Sequence, residues 1–517
     1  MQITTTMNNK VLFLSFTVSL GGFLFGFDAG IISGVMNFVG PEFELNQVQT
    51  GWVVSSPSFA AMIAMLIAGK LSDNIGRKKI LIGVAFLYSL SAITSALSYS
   101  YETLYISRMI GGVAFGTALV LAPIYISEIS TAKVRGRLVS IQQLNIVLGF
   151  FAAFLSNYLF NEFNTKLEFL NDLNVWRYML GIESIPALVY FITLFFVPES
   201  PRWLVTKGLN KESAETLGKI YGNEIAKKEL KEIEKSIDEK SVDKKVPLSV
   251  LLKPSLRFVM IVGLTLGIVQ QITGINAIYF YATSIFKQTG IGTDAAFLSG
   301  VFLSLTTVLF TIIAIRIIDK VGRRPLLITG MIGISLSLLI CSYGFGKAEY
   351  QLKSSDVVKL NILELSNPNS VVDKIYYDDV SFKNDIRNLI GTNEFSKREG
   401  EILELSIRIN SILVLLGIIG FIACFAFSLG PVMWVMLSEL FPNMYRGLAI
   451  GVIGFVNSFT SWFIQQVFPW ELSNLGSSIT FLIYGLIAVV GLIIFIKILP
   501  ETKGKSLEQI EFELIKK

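Results

Sequence analysis

Histidine is absent from this chain of 517 residues, and only two cysteines, Cys341 and Cys424, are present. Without histidine the chain cannot form Ser-His-Asp or Cys-His nucleophilic sites, nor a metal site built on imidazole. Both cysteines fall inside apolar runs, so they predict neither a disulfide framework nor a thiolate metal cage. We therefore expect a protein that is not an enzyme and that holds no metal or cofactor.

Charge is also scarce. Only 16% of the residues are charged, against about 25% in a typical soluble domain, whereas 52% are hydrophobic. The apolar residues are gathered in runs of about twenty, the length that an α-helix needs to cross a bilayer. This pattern excludes a disordered chain, a soluble multi-domain enzyme, a coiled coil and an outer-membrane barrel. The net charge of +5 fits basic membrane-facing loops better than a nucleic-acid surface. The sequence predicts an all-α polytopic membrane protein.

Twelve apolar segments fall into two sets of six. Numbered in chain order, the predicted spans are 11–36, 52–71, 80–98, 104–127, 138–160, 179–197, 257–285, 295–318, 325–346, 411–437, 448–469 and 476–499. The predicted domains are an N-terminal six-helix bundle at 1–199, a cytoplasmic linker of amphipathic helices at 200–255, a C-terminal bundle at 256–499 and a cytoplasmic tail at 500–517. A polar insertion at 347–408 interrupts the second bundle, either as a small folded cap or as a loop.

Basic residues are concentrated in alternate short loops. These loops contain Arg77, Lys78, Lys79, Lys133, Arg135, Arg137, Arg316, Lys320, Arg323, Arg324 and Arg446. The short loops on the other side contain only Lys166, Arg177 and Lys287. Because basic loops stay in the cytoplasm, both termini are predicted to be cytoplasmic and the insertion to lie outside. The expected location is a cell (inner) membrane.

The second half repeats the first. Asp73 and Arg77 recur as Asp319 and Arg323. The spacing of seven residues from Glu128 to Arg135 recurs from Glu439 to Arg446, and Pro198-Glu199-Ser200 recurs as Pro500-Glu501-Thr502. Two bundles related by pseudo-symmetry follow from this repeat.

These motifs resemble the sugar porter family of the major facilitator superfamily. The segments that carry the resemblance are Gly69–Lys79, Val197–Leu204 and Pro500–Gly504. The functional pattern is similar to that of bacterial proton–sugar symporters of the xylose type. The resemblance implies two six-helix bundles around a central cavity, with a sugar bound near the bilayer midplane. It also implies a monomer in the bilayer that binds a small sugar and no nucleic acid.

Polar amides inside membrane spans are the candidate binding groups. In span 7, Gln270, Thr273 and Ala277 share one helix face, next to Gly274, which permits a bend. Spacing alone leaves sugar contact and hydrogen-bonded packing between helices equally open. The resemblance implies a sugar-binding set of Gln143, Gln270, Gln271, Asn276, Trp434 and Asn457. Phe280, Thr307 and Ser458 depart from close relatives, so the preferred sugar is left open. In span 10, Gly430-Pro431 predicts a hinge.

Asp28 lies deep in span 1, and Arg108 begins span 4. An intramembrane carboxylate is a functional candidate by default, and a proton can neutralise it and release an arginine partner. The resemblance pairs these two residues for proton coupling, with the proton as the only coupling ion. A purely structural ion pair, or a uniporter that retains the acid, remains the alternative.

Nine charged residues at the cytoplasmic ends are too peripheral to bind sugar. The resemblance makes them an inner gate that links the halves while the transporter opens outward: Asp73, Arg77, Glu128, Arg135, Glu199, Asp319, Arg323, Glu439 and Arg446. The function expected is import of a pentose or hexose with a proton, by alternating access. The alternatives are an energy-independent sugar uniporter, a polyol or inositol symporter and, with less support, a non-transporting sugar sensor.

Overall fold

The computed structural model describes residues 9–131, 134–164, 166–167, 170–240, 248–359, 371–505 and 507–515. Within these residues, 12 helical segments are long and apolar enough to cross a membrane. This confirms the predicted all-α polytopic fold. Lys133 lies outside the described residues, as does the side chain of Arg135.

The first six spans are formed by α1 Asn9–Glu42, α2 Gln47–Ile75, α3 Arg77–Ala96, α4 Tyr101–Ile129, α5 Arg135–Phe163, and the pair α6 Val175–Gly181 and α7 Ser184–Leu194. The linker contains α8 Pro201–Thr206, α9 Asn210–Tyr221, α10 Asn223–Lys240 and a 3₁₀ turn at Leu248–Leu252. Leu217 and Ile220 are buried while the rest of α9 is largely polar, as expected for an amphipathic helix on a surface.

The second half begins with α11 Pro254–Ile272, α12 Ile275–Phe280 and α13 Ala282–Lys287, which together form span 7. The remaining spans are α14 Thr293–Val321, α15 Arg323–Gly346, the pair α19 Ser411–Phe427 and α20 Leu429–Leu440, α21 Asn443–Asn474 and α22 Gly476–Ile498. Between α15 and α19 lie β1 Glu349–Tyr350, α16 Ser354–Lys359, α17 Asp379–Ile390, α18 Thr392–Ser406 and β2 Ile407–Arg408, and α23 Leu507–Ile515 ends the chain.

Small residues allow the spans of each bundle to approach closely. On α1, Gly26 faces the backbone of Ile146 in α5, and on α5, Gly149 faces the backbone of Phe23, so a side chain at either glycine would collide with a carbonyl. Close backbone approach of this kind is how helices associate in lipid, where burial of apolar surface gives no driving force.

The contacts between bundles obey the pseudo-symmetry. Span 2 packs against span 11, and span 5 packs against span 8. The two pairs are equivalent, because adding six to the span number converts 2 to 8 and 5 to 11. We call the end of the molecule with the loops at Gly76 and Gly322 the basic face, and the opposite end, which carries residues 347–408, the cap face.

Spans 7 and 10 are each broken near the middle, at or near residues that the sequence marks. Gly274 adopts a left-handed conformation, with φ of 86°, between α11 and α12. Only glycine adopts this conformation without strain, so the bend predicted at Gly274 has a clear cause. In span 10 the break falls at Ser428, three residues before Pro431. Proline cannot donate to the carbonyl of Phe427, four residues earlier, so the helix is interrupted there.

Residues 347–408, which we call the cap, have a core of their own in the parts described, 347–359 and 371–408. Strands β1 and β2 pair antiparallel, with Glu349 opposite Arg408. Phe382 stacks on Tyr350, with ring centroids 5.4 Å apart, and both are buried together with Phe395. Of the two alternatives for the insertion, the structure shows the folded one.

A buried lysine fixes the cap to the membrane helices. Lys383 Nζ lies 3.4 Å from Glu399 Oε1 and 3.9 Å from Asp379 Oδ2, and it donates to the side-chain oxygen of Gln288 in the loop after α13. Asp379 in turn accepts hydrogen bonds from the backbone and hydroxyl of Ser477, at 2.9 and 3.0 Å. Burial raises the pKa of Glu399, but Lys383 and Gln288, with Arg387, more than offset this, so its pKa lies below the usual value.

Lys383→Met is expected to loosen the cap by leaving Glu399 and Asp379 without their nearest counter-charge. Breaking a buried ion pair costs about 3–5 kcal/mol, and the 31% exposure of Glu399 reduces this to roughly 2–3 kcal/mol. Hydrogen exchange of α17 and α18 measures the effect. Lys374→Met is the control, because Lys374 pairs with Asp385 at 3.0 Å on the surface of the same cap. Equal exchange in both variants would show that Lys383 does not hold the cap in place.

Candidate binding site between the two halves

Four carboxamides meet where span 7 is broken. Asn276 Nδ2 donates to Gln271 Oε1 at 2.8 Å, and Gln271 Nε2 donates to Asn457 Oδ1 at 3.2 Å. Asn457 Nδ2 donates to Gln270 Oε1 and to the carbonyl of Gly267, both at 2.8 Å. Gln270 Nε2 donates to the carbonyl of Leu429 at the break in span 10. Spans 7, 10 and 11 therefore converge on one polar cluster, which we call the amide cluster.

Each of these side chains is placed by a local feature of its helix. Gln270 and Gln271 are on the last turn of α11, and Asn276 is in the first turn of α12, on the other side of Gly274. The bend lets amides from both sides of Gly274 reach the same point. Gln270, Gln271 and Asn457 are nearly fully buried, whereas Asn276 is half-buried.

Trp434 lies next to this cluster. It is 42% exposed on α20. A side chain at Gly454, three residues before Asn457 on α21, would come within 3.9 Å of the Trp434 ring. An aromatic face beside a set of amides is a suitable surface for a sugar ring, because it offers apolar contact next to hydrogen-bonding groups.

Gln143 has no hydrogen bond to the amide cluster among the described residues. Gln143 is half-buried on α5. Its neighbour Gln142 packs against Gly22 of α1 and keeps a buried Oε1 that has no partner among the described residues. Of the six residues implied to bind sugar, four form the amide cluster, Trp434 lies about one helical turn from Asn457, and the role of Gln143 stays a prediction.

The three positions that depart from the family pattern are near the cluster. Thr307 Oγ1 is 2.6 Å from the hydroxyl of Tyr279, and both groups are buried. Phe280 is also buried, and Ser458 donates weakly to Met65 Sδ at 3.7 Å. These side chains shape the surroundings of the site, so they can change its substrate preference.

The halves are in contact on the cap-face side of the cluster. Tyr279 stacks on Phe150 of α5, with centroids 4.6 Å apart. Nearer the cap face, Ser33 and Thr283 join span 1 to span 7 at 3.1 Å, and Asn161 donates to Asp294 at 2.7 Å. The site is therefore closed toward the cap face.

Asp28 and Arg108 form an ion pair, as the resemblance implied. Arg108 Nη1 lies 3.1 Å from Asp28 Oδ1, and Arg108 Nε donates to the carbonyl of Val53 in α2 at 3.0 Å. The Asp28 side chain is 10% exposed and the Arg108 side chain is 2% exposed. One proton on Asp28 would leave the guanidinium without its counter-ion inside the bundle.

A second buried carboxylate was missed in the sequence. Glu183 is 4% exposed, just before α7, and lies within electrostatic reach of Asp28 and Arg108. Its carboxylate has no hydrogen-bond or ion-pair partner among the described residues. Because Glu183 falls inside predicted span 6, the rule that marked Asp28 also applies to it.

At the basic face, seven of the nine predicted gate residues form one cluster in each half. In the first, Arg77 pairs with Asp73 at 2.8 Å and with Glu128 at 3.0 Å, and Glu199 accepts from the backbone of Arg77 at 2.9 Å. In the second, Arg323 pairs with Asp319 at 2.9 Å and with Glu439 at 2.8 Å.

The second cluster contains an acceptor that the predicted set omitted. Glu501 accepts from the backbone of Arg323 and Arg324, each at 3.2 Å, as Glu199 does in the first half. The repeat of Pro198-Glu199 as Pro500-Glu501 was the signal for it. Arg446 donates to the carbonyl of Phe441, and its Nη2 is buried without a partner among the described residues.

Within the described residues, the ion pairs of both clusters stay inside one half. The predicted links between halves concern the outward-open state, in which the basic face would close, so they stay a prediction.

Comparisons with known proteins agree with this architecture. The family described as "Sugar (and other) transporter" matches residues 14–360 and 397–514. The arabinose-proton symporter of Bacillus subtilis is 33% identical over 501 residues, which cover 97% of this chain and 94% of that protein. The glucose transporter GlcP of Staphylococcus epidermidis is 34% identical, covering 96% and 95% of the two chains. A partially occluded, inward-open structure of the xylose transporter XylE from E. coli has a TM-score of 0.73 at 27% identity, covering 96% of this chain and 100% of that one.

Proposed function

The chain belongs to the sugar transporter family of the major facilitator superfamily, and on that premise we propose that it imports a monosaccharide, a pentose or hexose, together with a proton. Membership confirms the resemblance seen in the sequence motifs and the expectation that the chain is not an enzyme, because this family consists of transporters. The similar proteins are named for arabinose, glucose and xylose, which supports a sugar as the substrate class.

The observation that carries the proposal is the amide cluster beside Trp434. A carboxamide offers two donors and an acceptor, so the side chains of Gln270, Gln271, Asn276 and Asn457 can match the alternating donors and acceptors of sugar hydroxyls. In this structure they bond to one another. A bound sugar would exchange these bonds for its own, so that no buried polar group is left unsatisfied.

Asp28 and Arg108 supply the coupling. With Asp28 ionised, the pair ties α1 to α4 at 3.1 Å. A proton on Asp28 removes the attraction and frees Arg108 to take other partners, which gives two arrangements of the N-terminal bundle that a proton can select. One of the similar proteins is named an arabinose-proton symporter, which supports this role.

The halves would rock around the bound sugar to expose it to each side in turn. The contacts between the halves on the cap-face side support a state that is open to the basic face. The clusters at Arg77 and Arg323 would meet the opposite half when the basic face closes. Exposed ion pairs are worth about 0–1 kcal/mol each, so such a gate can break in every cycle.

The proposed location is the inner membrane, with the basic face in the cytoplasm, and the working unit is a monomer without a cofactor. The positive-inside pattern of the loops supports this orientation. The cap would then lie outside the cell.

Uptake into vesicles tests the proposal. Purified protein in liposomes with an imposed inward proton gradient should accumulate D-xylose, L-arabinose or D-glucose, and a protonophore should abolish accumulation. Competition by a panel of pentoses, hexoses and inositol ranks the substrates. Uptake that equilibrates and ignores the protonophore would identify a uniporter, and preference for inositol would identify a polyol symporter. Failure to move any of these compounds would overturn the proposal.

A further inference from the structure

One face of α21 carries a polar side chain on three consecutive turns. Asn457, Ser461 and Gln465 are spaced four residues apart, so they lie above one another along the helix. Ser461 is 7% exposed and Gln465 is fully buried. Asn457 belongs to the amide cluster, whereas Gln465 lies on the side toward the cap face. The row therefore runs from the binding site to the closed contact between the halves.

Hydrogen bonds connect the row from end to end. Asn276 Nδ2, which donates to Gln271, also donates to Ser461 Oγ at 2.6 Å. Gln465 Nε2 donates to the same Ser461 Oγ at 2.8 Å. Gln465 Oε1 accepts from Ser58 Oγ of α2 at 3.0 Å. An amide of the binding site is thus joined to the opposite bundle through Ser461 and Gln465.

A neighbouring contact crosses the same interface without this connection. Ser55 Oγ donates to Gln466 Oε1 at 2.8 Å, and Gln466 Nε2 donates to the carbonyl of Val48 at 3.0 Å. Gln466 has no hydrogen bond to the amide cluster among the described residues. Among the described residues the α2–α21 interface contains three serine–glutamine bonds, the third from Gln47 Nε2 to Ser473 Oγ at 2.8 Å, and only the bond between Ser58 and Gln465 is linked to the site.

We propose that Ser461 and Gln465 are positioning residues that couple sugar occupancy of the amide cluster to the contact between α2 and α21. The inference rests on the proposed function. When a sugar hydroxyl accepts a hydrogen bond from Asn276 Nδ2, the bond from Asn276 Nδ2 to Ser461 Oγ is lost. Ser461 Oγ then keeps only the Gln465 amide as a donor, so this buried pair can settle into a different orientation. Gln465 then turns, and its bond to Ser58 is made or lost according to whether the site is filled.

The experiment measures the distance between α2 and α21 with and without sugar. Nitroxide labels are placed on cysteines introduced at Val48 and Asn474, both exposed near the cap face, after Cys341 and Cys424 are replaced by alanine. Distance distributions are recorded with whichever of D-xylose, L-arabinose and D-glucose the parent chain transports. Ser461→Ala should abolish the sugar-dependent change and lower the maximal rate about tenfold, with KM within about threefold. Ser461→Thr, which keeps the hydroxyl, should restore both.

Ser55→Ala is the matched control, because it removes the unlinked bond across the same interface and should keep the sugar-dependent change. The inference alone would be overturned if Ser461→Ala showed the same sugar-dependent distance change as the parent chain. It would also be overturned if a parent chain that transports sugar showed no such change. A parent chain that moves none of the sugars overturns the proposed function and the inference with it. If Ser461→Ala is not recovered from membranes, Ser58→Ala breaks the other end of the row and is judged by the same criterion.

Discussion

Asp28→Asn is expected to abolish sugar accumulation while sparing exchange of sugar between equal pools. Asparagine is close in size to aspartate and can still accept a hydrogen bond from Arg108, now 3.1 Å from Asp28, but it cannot take up a proton. Moving one charge through 100 mV supplies about 2.3 kcal/mol, and a factor of ten corresponds to about 1.4 kcal/mol. Accumulation of about fifty-fold should therefore fall to a ratio near one.

Counterflow in liposomes separates the two activities, since it needs sugar binding and alternation but no net proton movement. Glu102→Gln is the control, because Glu102 is an exposed carboxylate on the same helix as Arg108. Glu183→Gln is measured beside it, since Glu183 is the other buried acid near the pair. If Asp28→Asn still concentrates sugar while Glu183→Gln does not, the coupling acid is Glu183.

The architecture was predictable because its causes are local. Spans follow from runs of apolar residues, and the break in span 7 follows from Gly274, whose left-handed conformation other residues rarely adopt. The position of the break in span 10 was harder to predict from the sequence. Pro431 indicates an interruption, but the residue that changes conformation is Ser428, and this depends on how α19 and α20 pack.

The fold of the cap could not be predicted from the sequence. Its composition is mixed, and its fold depends on contacts with distant loops, such as that of Lys383 with Gln288. Glu183 differs, because the rule that marked Asp28 also identifies this carboxylate in span 6 from the sequence. Only its proximity to Asp28 depends on the packing of α1, α4 and α7. The links through Ser461 likewise require α12 and α21 to be adjacent.

Asn457→Ala is expected to raise KM for sugar by about ten- to a hundredfold. Asn457 makes three hydrogen bonds in the amide cluster, two as donor and one as acceptor. Its loss removes a hydrogen-bonding contact to the bound sugar, and a sugar hydroxyl left without that partner in a buried site costs about 1–3 kcal/mol. The maximal rate at saturating sugar should change less than KM, because the loss falls mainly on binding.

Asn157→Ala is the control that shows whether Asn457 contacts the sugar or only packs helices together. Asn157 is also a buried amide, on α5, and donates to the carbonyls of Gly30 and Ile31 at 3.3 and 3.1 Å, away from the amide cluster. Both variants should lower the melting temperature without sugar. A ligand stabilises a folded protein in proportion to the logarithm of its concentration over Kd. Sugar should therefore raise the melting temperature of Asn157→Ala as it does in the parent chain, and raise that of Asn457→Ala much less at the same sugar concentration. Equal sugar-dependent shifts in the two variants would mean that Asn457 serves only to hold α21 against α11.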